Sequence, residues 1–228
     1  MLRKLPCDAV GAVAELVQSD RENANCRGNA PGTTLSDDGT MAPVGQVVRP
    51  RVSYTDLLRQ PEDGRRYEIY DGEVFVVPSP LPLHQIVADN IARLLAEYSN
   101  VHGGLAITAP LDIVFTEYDV LQPDIVFFSG ERRHLVKLDE VIRHAPDLVV
   151  EVLSPSTEST DRGKKLQAFA RFGVPEYWIV DPRAGATEVL RLTGTVYVLH
   201  SRASRNEVAT SAILPELSIA LNTMIPRR

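Results

Sequence analysis

Apolar and polar positions fall into a regular order from about residue 53 onward. Ser53-Tyr54-Thr55-Asp56-Leu57-Leu58 predicts a short helix with Thr55 as its cap. Tyr67-Glu68-Ile69-Tyr70 and Glu73-Val74-Phe75-Val76-Val77 are β-rich halves that meet at Asp71-Gly72, the dipeptide favoured in a type I′ hairpin turn. After Pro78-Ser79-Pro80, the residues Val87, Ile91, Leu94, Leu95 and Tyr98 recur at helical spacing, which predicts an amphipathic helix from about His84 to Tyr98, punctuated by Gly103-Gly104. Ile107 to Phe115 reads as one strand. Two further strands follow in Gln122–Phe128 and Asp147–Leu153, with a loop or short helix around Glu131–Ile142 between them. Leu166, Phe169, Ala170 and Phe172 give the next helix an inward face, and Gly173 is its stop signal. Tyr177–Val180 predicts a strand, Thr187–Leu192 and Thr195–His200 a hairpin about Thr193-Gly194, and Leu217, Ile219 and Leu221 an apolar close. No repeat is visible, and the sum is an α+β fold with a central mixed sheet flanked by helices.

Residues 1–49 break this order. Turn-rich stretches such as Gly28-Asn29-Ala30-Pro31-Gly32 and little apolar periodicity after Leu16-Val17 predict a mostly disordered leader with one short helix over Val10–Val17. Met41 stands close to the expected domain start, as an overlong start-site assignment would place it. The 228 residues leave room for one domain, expected over 50–228. Asp8 and Glu15 interrupt what would be the apolar core of a signal peptide, and no apolar run approaches the roughly 20 residues that span a bilayer, so a cytoplasmic protein without membrane attachment is expected. Cys7 and Cys26 both lie in the leader, which argues against a disulfide framework and a cysteine-built zinc site.

The chemistry is concentrated in two carboxylates. Asp124 precedes Ile125-Val126-Phe127-Phe128, and Glu151 interrupts Leu148-Val149-Val150-Glu151-Val152-Leu153. Burying a lone carboxylate costs several kcal/mol unless a metal ion or a cation compensates it. Asp161-Arg162-Gly163-Lys164-Lys165 follows at once, and acid, acid and lysine in strand, strand, helix, strand order is a metal-dependent phosphodiesterase pattern. Hydrolysis of a phosphodiester needs a hydroxide-like nucleophile, charge neutralisation on the transition state and help for the leaving oxygen. Mg2+ supplies all three with one or two carboxylate ligands, and a lysine would orient or deprotonate the attacking water.

Tyr67-Glu68-Ile69-Tyr70-Asp71-Gly72-Glu73, His84, Pro123-Asp124, Glu151-Val152-Leu153-Ser154-Pro155-Ser156 and Gly173-Val174-Pro175-Glu176-Tyr177-Trp178-Ile179-Val180-Asp181-Pro182 together resemble the Uma-two family of restriction endonucleases, a branch of the PD-(D/E)XK nuclease superfamily. The resemblance runs from about Tyr54 to Ile225. It implies a restriction-endonuclease-like core, a Mg2+-dependent site that accepts Mn2+, a nucleic acid substrate, DNA first, and a homodimer. By the same resemblance Asp124 and Glu151 are the metal ligands. Leu153 stands where the superfamily has its lysine, and Lys165, with Lys164 as the fallback, matches the place on the following helix to which the lysine has moved. Glu68 matches an upstream acidic position that binds a second metal or holds a metal-bound water.

Simpler readings exist for each residue. Asp124 could cap a loop, Lys165 could be solvated, Glu68 could pair with Arg65 or Arg66, and His84, which could cap or line the site, is read first as a surface histidine. Asp181-Pro182 is read as a turn, and Tyr177 and Trp178 as core rather than a base-stacking platform. Ser154 and Ser156 lack a nucleophile elbow. The net charge of −6 argues against broad electrostatic binding of nucleic acid but leaves room for a nuclease whose metal ions oppose it. The densest basic stretch, Arg132, Arg133, His134, Lys137 and Arg143, reads as a solvated face. Two classes of function remain: a divalent-metal-dependent endonuclease using Asp124, Glu151, Lys165 and Glu68, or a nuclease-fold module that binds nucleic acid or regulates without effective turnover. A glycosidase pair is disfavoured by an aromatic content of 6%, too low for a sugar-binding cleft.

Overall fold

The computed structural model describes residues 50–204 and 206–226. The expected leader, with its helix at Val10–Val17 and both cysteines, lies outside the described residues. Helix α1 (Tyr54–Leu58) is capped by Ser53 and not by Thr55: Ser53 has extended backbone angles, its hydroxyl accepts from the Asp56 N–H, and the Asp56 side chain reaches back to the Ser53 N–H. Thr55 lies within the helix and donates its hydroxyl to Glu117. Strands β1 (Arg66–Tyr70) and β2 (Glu73–Val77) form the expected hairpin, with Asp71 at φ 50° and Gly72 at φ 84° giving the two left-handed residues of a type I′ turn.

Helix α2 (Pro82–His102) begins two residues before the expected start and runs four beyond the expected end, buries Val87, Ile91 and Leu95, and ends at Gly103. The run expected as one strand over Ile107–Phe115 is two, β3 (Leu105–Thr108) and β4 (Ile113–Thr116). Pro110 has no N–H to give a ladder, and the Ala109 N–H goes to the Asp124 carbonyl instead. The chain therefore leaves one sheet and enters another. A short strand that the pattern did not signal, β5 (Asp119–Leu121), joins β4, and β6 (Ile125–Phe128) and β7 (Leu148–Val152) follow. Next come α3 (Glu158–Thr160), a π-helical turn (Asp161–Lys165) and α4 (Leu166–Arg171) without a break. At its end the Val174 N–H bonds to Phe169 O and the Gly173 N–H to Ala170 O, with Gly173 at φ 76°, the Schellman arrangement. Strands β8 (Glu176–Asp181), β9 (Ala186–Thr193), β10 (Val196–Ser204), β11 (Val208–Thr210) and β12 (Ser218–Ala220) and helix α5 (Leu221–Met224) complete the described chain.

Six strands form the central sheet in the order β10-β9-β8-β7-β6-β3, antiparallel except for β7 and β8. The parallel pair is joined through the α3–α4 segment, as parallel neighbours require a crossover. A second sheet has the order β2-β1-β5-β4, and β11 pairs with β12. The fold is thus mixed α+β, a mixed sheet flanked by helices. Period-two alternation divides the core in two: Ile125, Phe127, Leu148, Val150, Val152 and Trp178 pack with Val87, Ile91 and Leu95 of α2, whereas Val126, Phe128, Val149, Tyr177 and Ile179 pack with Phe169 of α4 and with Ile113 and Leu121. Every residue of β7 is buried, Glu151 among them.

A Cβ at Gly104 would lie 2.7 Å from both the Phe127 ring and the Phe128 carbonyl, at φ +109°, while one at Gly163 would meet nothing within 4 Å. Gly104→Ala is expected to lose about 2–4 kcal/mol of stability, combining backbone strain with overpacking. Gly163→Ala should be neutral or gain up to about 1 kcal/mol from helix propensity. Urea unfolding of the two variants beside the parent checks both.

Candidate active site

Strand register brings the two acids face to face. Ile125 pairs with Val150 and Val126 with Val149 in antiparallel β6 and β7, and one further step in that register sets Asp124 opposite Glu151. Directly opposed residues have Cβ atoms about 5 Å apart, and like charges so placed repel. Alternation puts Glu151 on the same sheet face as Val149, the face covered by α4 and the π-helical turn that precedes it. Lys165 is the last residue of that turn.

The Lys165 ammonium sits at the centre of the site. Its Nζ is 2.9 Å from Glu151 Oε1, 3.1 Å from Glu68 Oε1 and 3.8 Å from Asp161 Oδ1, and it donates to the Gln122 carbonyl at 3.3 Å. Lys165, Glu151, Glu68 and Asp161 are all at most 5% exposed. Glu68 comes from β1 of the second sheet, where Tyr70 Oη donates to its Oε2 and the Gln122 N–H to its Oε1. It therefore pairs with Lys165 and with neither Arg65 nor Arg66: Arg65 faces Asp63, and Arg66 donates to the Pro78 carbonyl. Lys164 points elsewhere, over the Phe75 ring and toward Glu73 at 3.5 Å.

Asp124 projects into the same cleft. Its Oδ2 accepts from the Val152 N–H at 2.8 Å and lies 3.0 Å from His84 Nε2, leaving Oδ1 for another partner. The backbone bond is the loop-capping role that Asp124 could have had alone, and it does not exhaust the carboxylate. His84 is not a surface residue: it is 9% exposed and stands on the inner face of α2 above Val87, Ala88 and Ile91.

The balance of charge is uneven. Glu68, Glu151 and Asp161 surround one ammonium, and Asp124 adds a fourth carboxylate to the cleft. Burial pushes the Glu151 carboxyl well above the usual range against the pull of Lys165, and Asp124, Asp161 and Glu68 push it further. Burial likewise raises Asp161, to about 6. For Lys165 burial alone would favour the neutral amine, but Glu151, Glu68, Tyr70 and Asp161 outweigh it and hold the ammonium protonated. Full ionisation of the carboxylates thus calls for a second source of positive charge.

A divalent cation fits that demand. The cleft has a cavity of about 30 Å3, room for roughly two water-sized guests. It is lined by His84, Gln122, Asp124, Glu151, Asp161 and Lys165 among others, and Arg66 and Pro78 border it. Of four buried side-chain polar atoms without a partner among the described residues, three belong to this lining: His84 Nδ1, Gln122 Oε1 and Asp161 Oδ1. Unsatisfied buried groups are rare in native proteins and mark missing water, ions or substrate. No group of three His, Cys, Asp or Glu side chains among the described residues converges as a transition-metal cage would. Mg2+ needs no such cage, since it keeps several waters and takes one or two carboxylates.

The structure therefore gathers Asp124, Glu151, Lys165 and Glu68 into one cleft. Sequence reasoning favoured the surface for His84 and missed Asp161, Gln122 and Tyr70 as neighbours of the cleft. Two of these had a signal: His84 precedes Val87, Ala88 and Ile91 by 3, 4 and 7 residues, and Asp161 precedes Lys165 by 4, both the spacing of one helix face. Gln122 and Tyr70 depend on the meeting of the two sheets, which has no local signature. The basic stretch is largely paired off, Arg132 with Asp147 at 2.6 Å and Lys137 with Glu140 at 3.2 Å. Asp181 is a turn residue that accepts from the Arg183 and Ala184 N–H groups, and Tyr177 and Trp178 are fully buried.

Comparison with known proteins bears on the family and the fold. A family model, Uma2, described as "Putative restriction endonuclease", matches residues 54–222. The chain is 28% identical over 125 residues to the uncharacterized protein slr1290 of Synechocystis sp. (strain ATCC 27184 / PCC 6803 / Kazusa), a match over 53% of this chain that spans 63% of the relative's length. A crystal structure of a "putative nuclease belonging to DUF820" from Anabaena variabilis ATCC 29413 superposes with a TM-score of 0.63 at 19% identity, covering 76% of this chain and 97% of that one. That likeness establishes a shared fold.

Asp161 makes stability depend on pH. Because its folded value, about 6, lies above the usual 3.8, the folded state holds the proton more tightly, and stability is fully present below 3.8 and falls as pH rises through 6. The shift corresponds to roughly 3 kcal/mol. In EDTA, Asp161→Asn is expected to remove most of this loss between pH 4 and pH 7, measured by urea unfolding against the parent. An equal pH slope in both proteins would contradict the assignment.

Proposed function

The chain belongs to the Uma2 family, and from that membership we propose that it is a divalent-metal-dependent endonuclease that hydrolyses phosphodiester bonds in nucleic acid, DNA first. The observation that carries this reading is the single site in which three buried carboxylates, Glu68, Glu151 and Asp161, surround one protonated lysine, with Asp124 beside them in the same cleft. Asp124, through its free Oδ1, and Glu151 would hold Mg2+, with Mn2+ as a substitute. When bound, the cation supplies charge neutralisation at the phosphate and eases formation of a hydroxide-like nucleophile.

The remaining work falls to the chain. Lys165 is held protonated by its carboxylate neighbours, so it acts as a hydrogen-bond donor that orients the attacking water and offsets charge on the phosphoryl oxygens, and not as the base. Glu68, with both oxygens already accepting from Tyr70 and Gln122, fixes the ammonium in place. His84 does the same for Asp124 by occupying Oδ2. In the reaction an oxygen–phosphorus bond forms from water, whose proton leaves to solvent, and the bond from phosphorus to one ester oxygen breaks. That oxygen takes up a proton, and the products are a phosphomonoester and a hydroxyl end. Two copies acting as a homodimer would cut both strands.

One observation favours a second reading, a module that binds nucleic acid without turnover. Lys165 lies 2.9 Å from Glu151 and already compensates part of its charge. A cation must share Glu151 with that ammonium.

Titration calorimetry with Mg2+ and Mn2+, paired with nicking of supercoiled plasmid, separates the readings. The parent is expected to bind metal and nick, and Asp124→Ala and Glu151→Ala to lose both, nicking by at least about 100-fold. Metal binding without nicking would select the binding module, and no metal-dependent signal would remove both assignments. Lys165→Met, which strands Glu68 and Glu151 without their cation, should lose about 3–5 kcal/mol of stability in EDTA. Added Mg2+ should recover part of that loss in the thermal unfolding midpoint.

A further inference from the structure

Next to the carboxylate cleft lies a second depression, an apolar notch of about 50 Å3 walled by Leu81, Leu153, Pro155 and Pro182. His84 and Ser154 line both, so the two adjoin. Arg183 closes the notch, in a turn that the Asp181 carboxylate fixes by accepting from the Arg183 and Ala184 N–H groups. Among the described residues, Arg51, Arg132, Arg162 and Arg171 each meet a carboxylate at 2.5–2.8 Å. Arg183 meets none among the described residues. Neither does Arg66, which borders the carboxylate cleft and donates only to the Pro78 carbonyl at 3.3 Å.

Two guanidinium groups without a carboxylate partner among the described residues, one at each of two adjoining depressions, suit a polyanion. A chain of net charge −6, with four carboxylates at the site itself, repels a nucleic acid unless cations at the rim oppose that field. Guanidinium groups pair with phosphate through two parallel hydrogen bonds, which sets position as well as charge. The notch between them has room for about four water-sized groups, enough to receive one edge of a furanose ring.

Resting on the endonuclease reading, we propose that Arg66 and Arg183 bind backbone phosphates that flank the scissile one, Arg66 at the mouth of the carboxylate cleft and Arg183 beyond His84 and Ser154. The apolar notch seats the sugar between the cleft and Arg183. These contacts carry no sequence information and set the register of the strand over Asp124 and Glu151.

The test uses Arg183→Gln, Arg66→Gln and, as a control, Arg93→Gln, an exposed arginine of α2 that lines neither depression. Binding of a short fluorescein-labelled duplex is measured by anisotropy across a salt series with Ca2+ in place of Mg2+, beside plasmid nicking and Mg2+ calorimetry. Each site variant is expected to bind about 10-fold more weakly, as for loss of a charge-assisted hydrogen bond. The slope of log K against log salt should fall by about one, with Mg2+ affinity unchanged. Arg93→Gln should match the parent. If the parent binds and nicks DNA but Arg183→Gln and Arg66→Gln behave like Arg93→Gln, the phosphate contacts are overturned and the endonuclease reading survives. If the parent neither binds nor nicks, both fall together.

Discussion

The buried ammonium of Lys165 is the interaction on which the rest of the site depends. Glu151 lies on a strand enclosed on both faces, and an unpaired carboxylate there would cost several kcal/mol. Lys165 compensates it at 2.9 Å and at the same time ties in Glu68 from the second sheet and Asp161 from its own turn. Three elements distant in sequence thus converge on one charge. Two residues after Glu151, on the same face of the strand, Leu153 is 4% exposed and packed in the core beside Phe169 and Ile179, and the helical segment that covers that face brings the lysine to Glu151. The crossover between parallel β7 and β8 makes this possible, because it lays the segment directly over Glu151.

Compensation is incomplete, which separates a site from a structural ion cluster. Glu176 supplies the contrast. It is fully buried on β8, yet its carboxylate accepts from Trp178 Nε1 at 2.6 Å, from the Ser211 hydroxyl at 2.7 Å and from the Ala212 N–H, so its charge is satisfied and it anchors the segment after β11. At the cleft, by comparison, His84 Nδ1, Gln122 Oε1 and Asp161 Oδ1 have no hydrogen-bond partner among the described residues, and Asp124 has an oxygen to spare. Burial alone does not distinguish the two clusters. The unmet demand for hydrogen bonds and positive charge does.

Much of this was legible in the chain. The Asp71-Gly72 hairpin, the Gly173 helix stop and the strands around Asp124 and Glu151 follow from turn chemistry and period-two burial, which act within a few residues. Where the reading failed, a competitor lay close by. Ser53 outcompeted Thr55 as a cap because it alone stands one residue ahead of the helix with Asp56 in reach, and Pro110 split a run that looked continuous by its hydrophobicity. His84 was set aside as a surface residue although its spacing to Val87 and Ile91 marks the inner face of α2.

By itself the sequence determined the α+β class and most of the element order, the pairing of Asp124 and Glu151 on adjacent strands and the lysine-bearing helix that follows, since each rests on local periodicity or on motif residues a few positions apart. Only the tertiary structure decided that Lys165 and not Lys164 enters the site, that Glu68 pairs with it across two sheets, and that His84 holds Asp124. Those choices depend on side-chain direction and on contacts between elements 14 to 97 residues apart, where the free energy of burying a charge selects the partner and no local pattern records it.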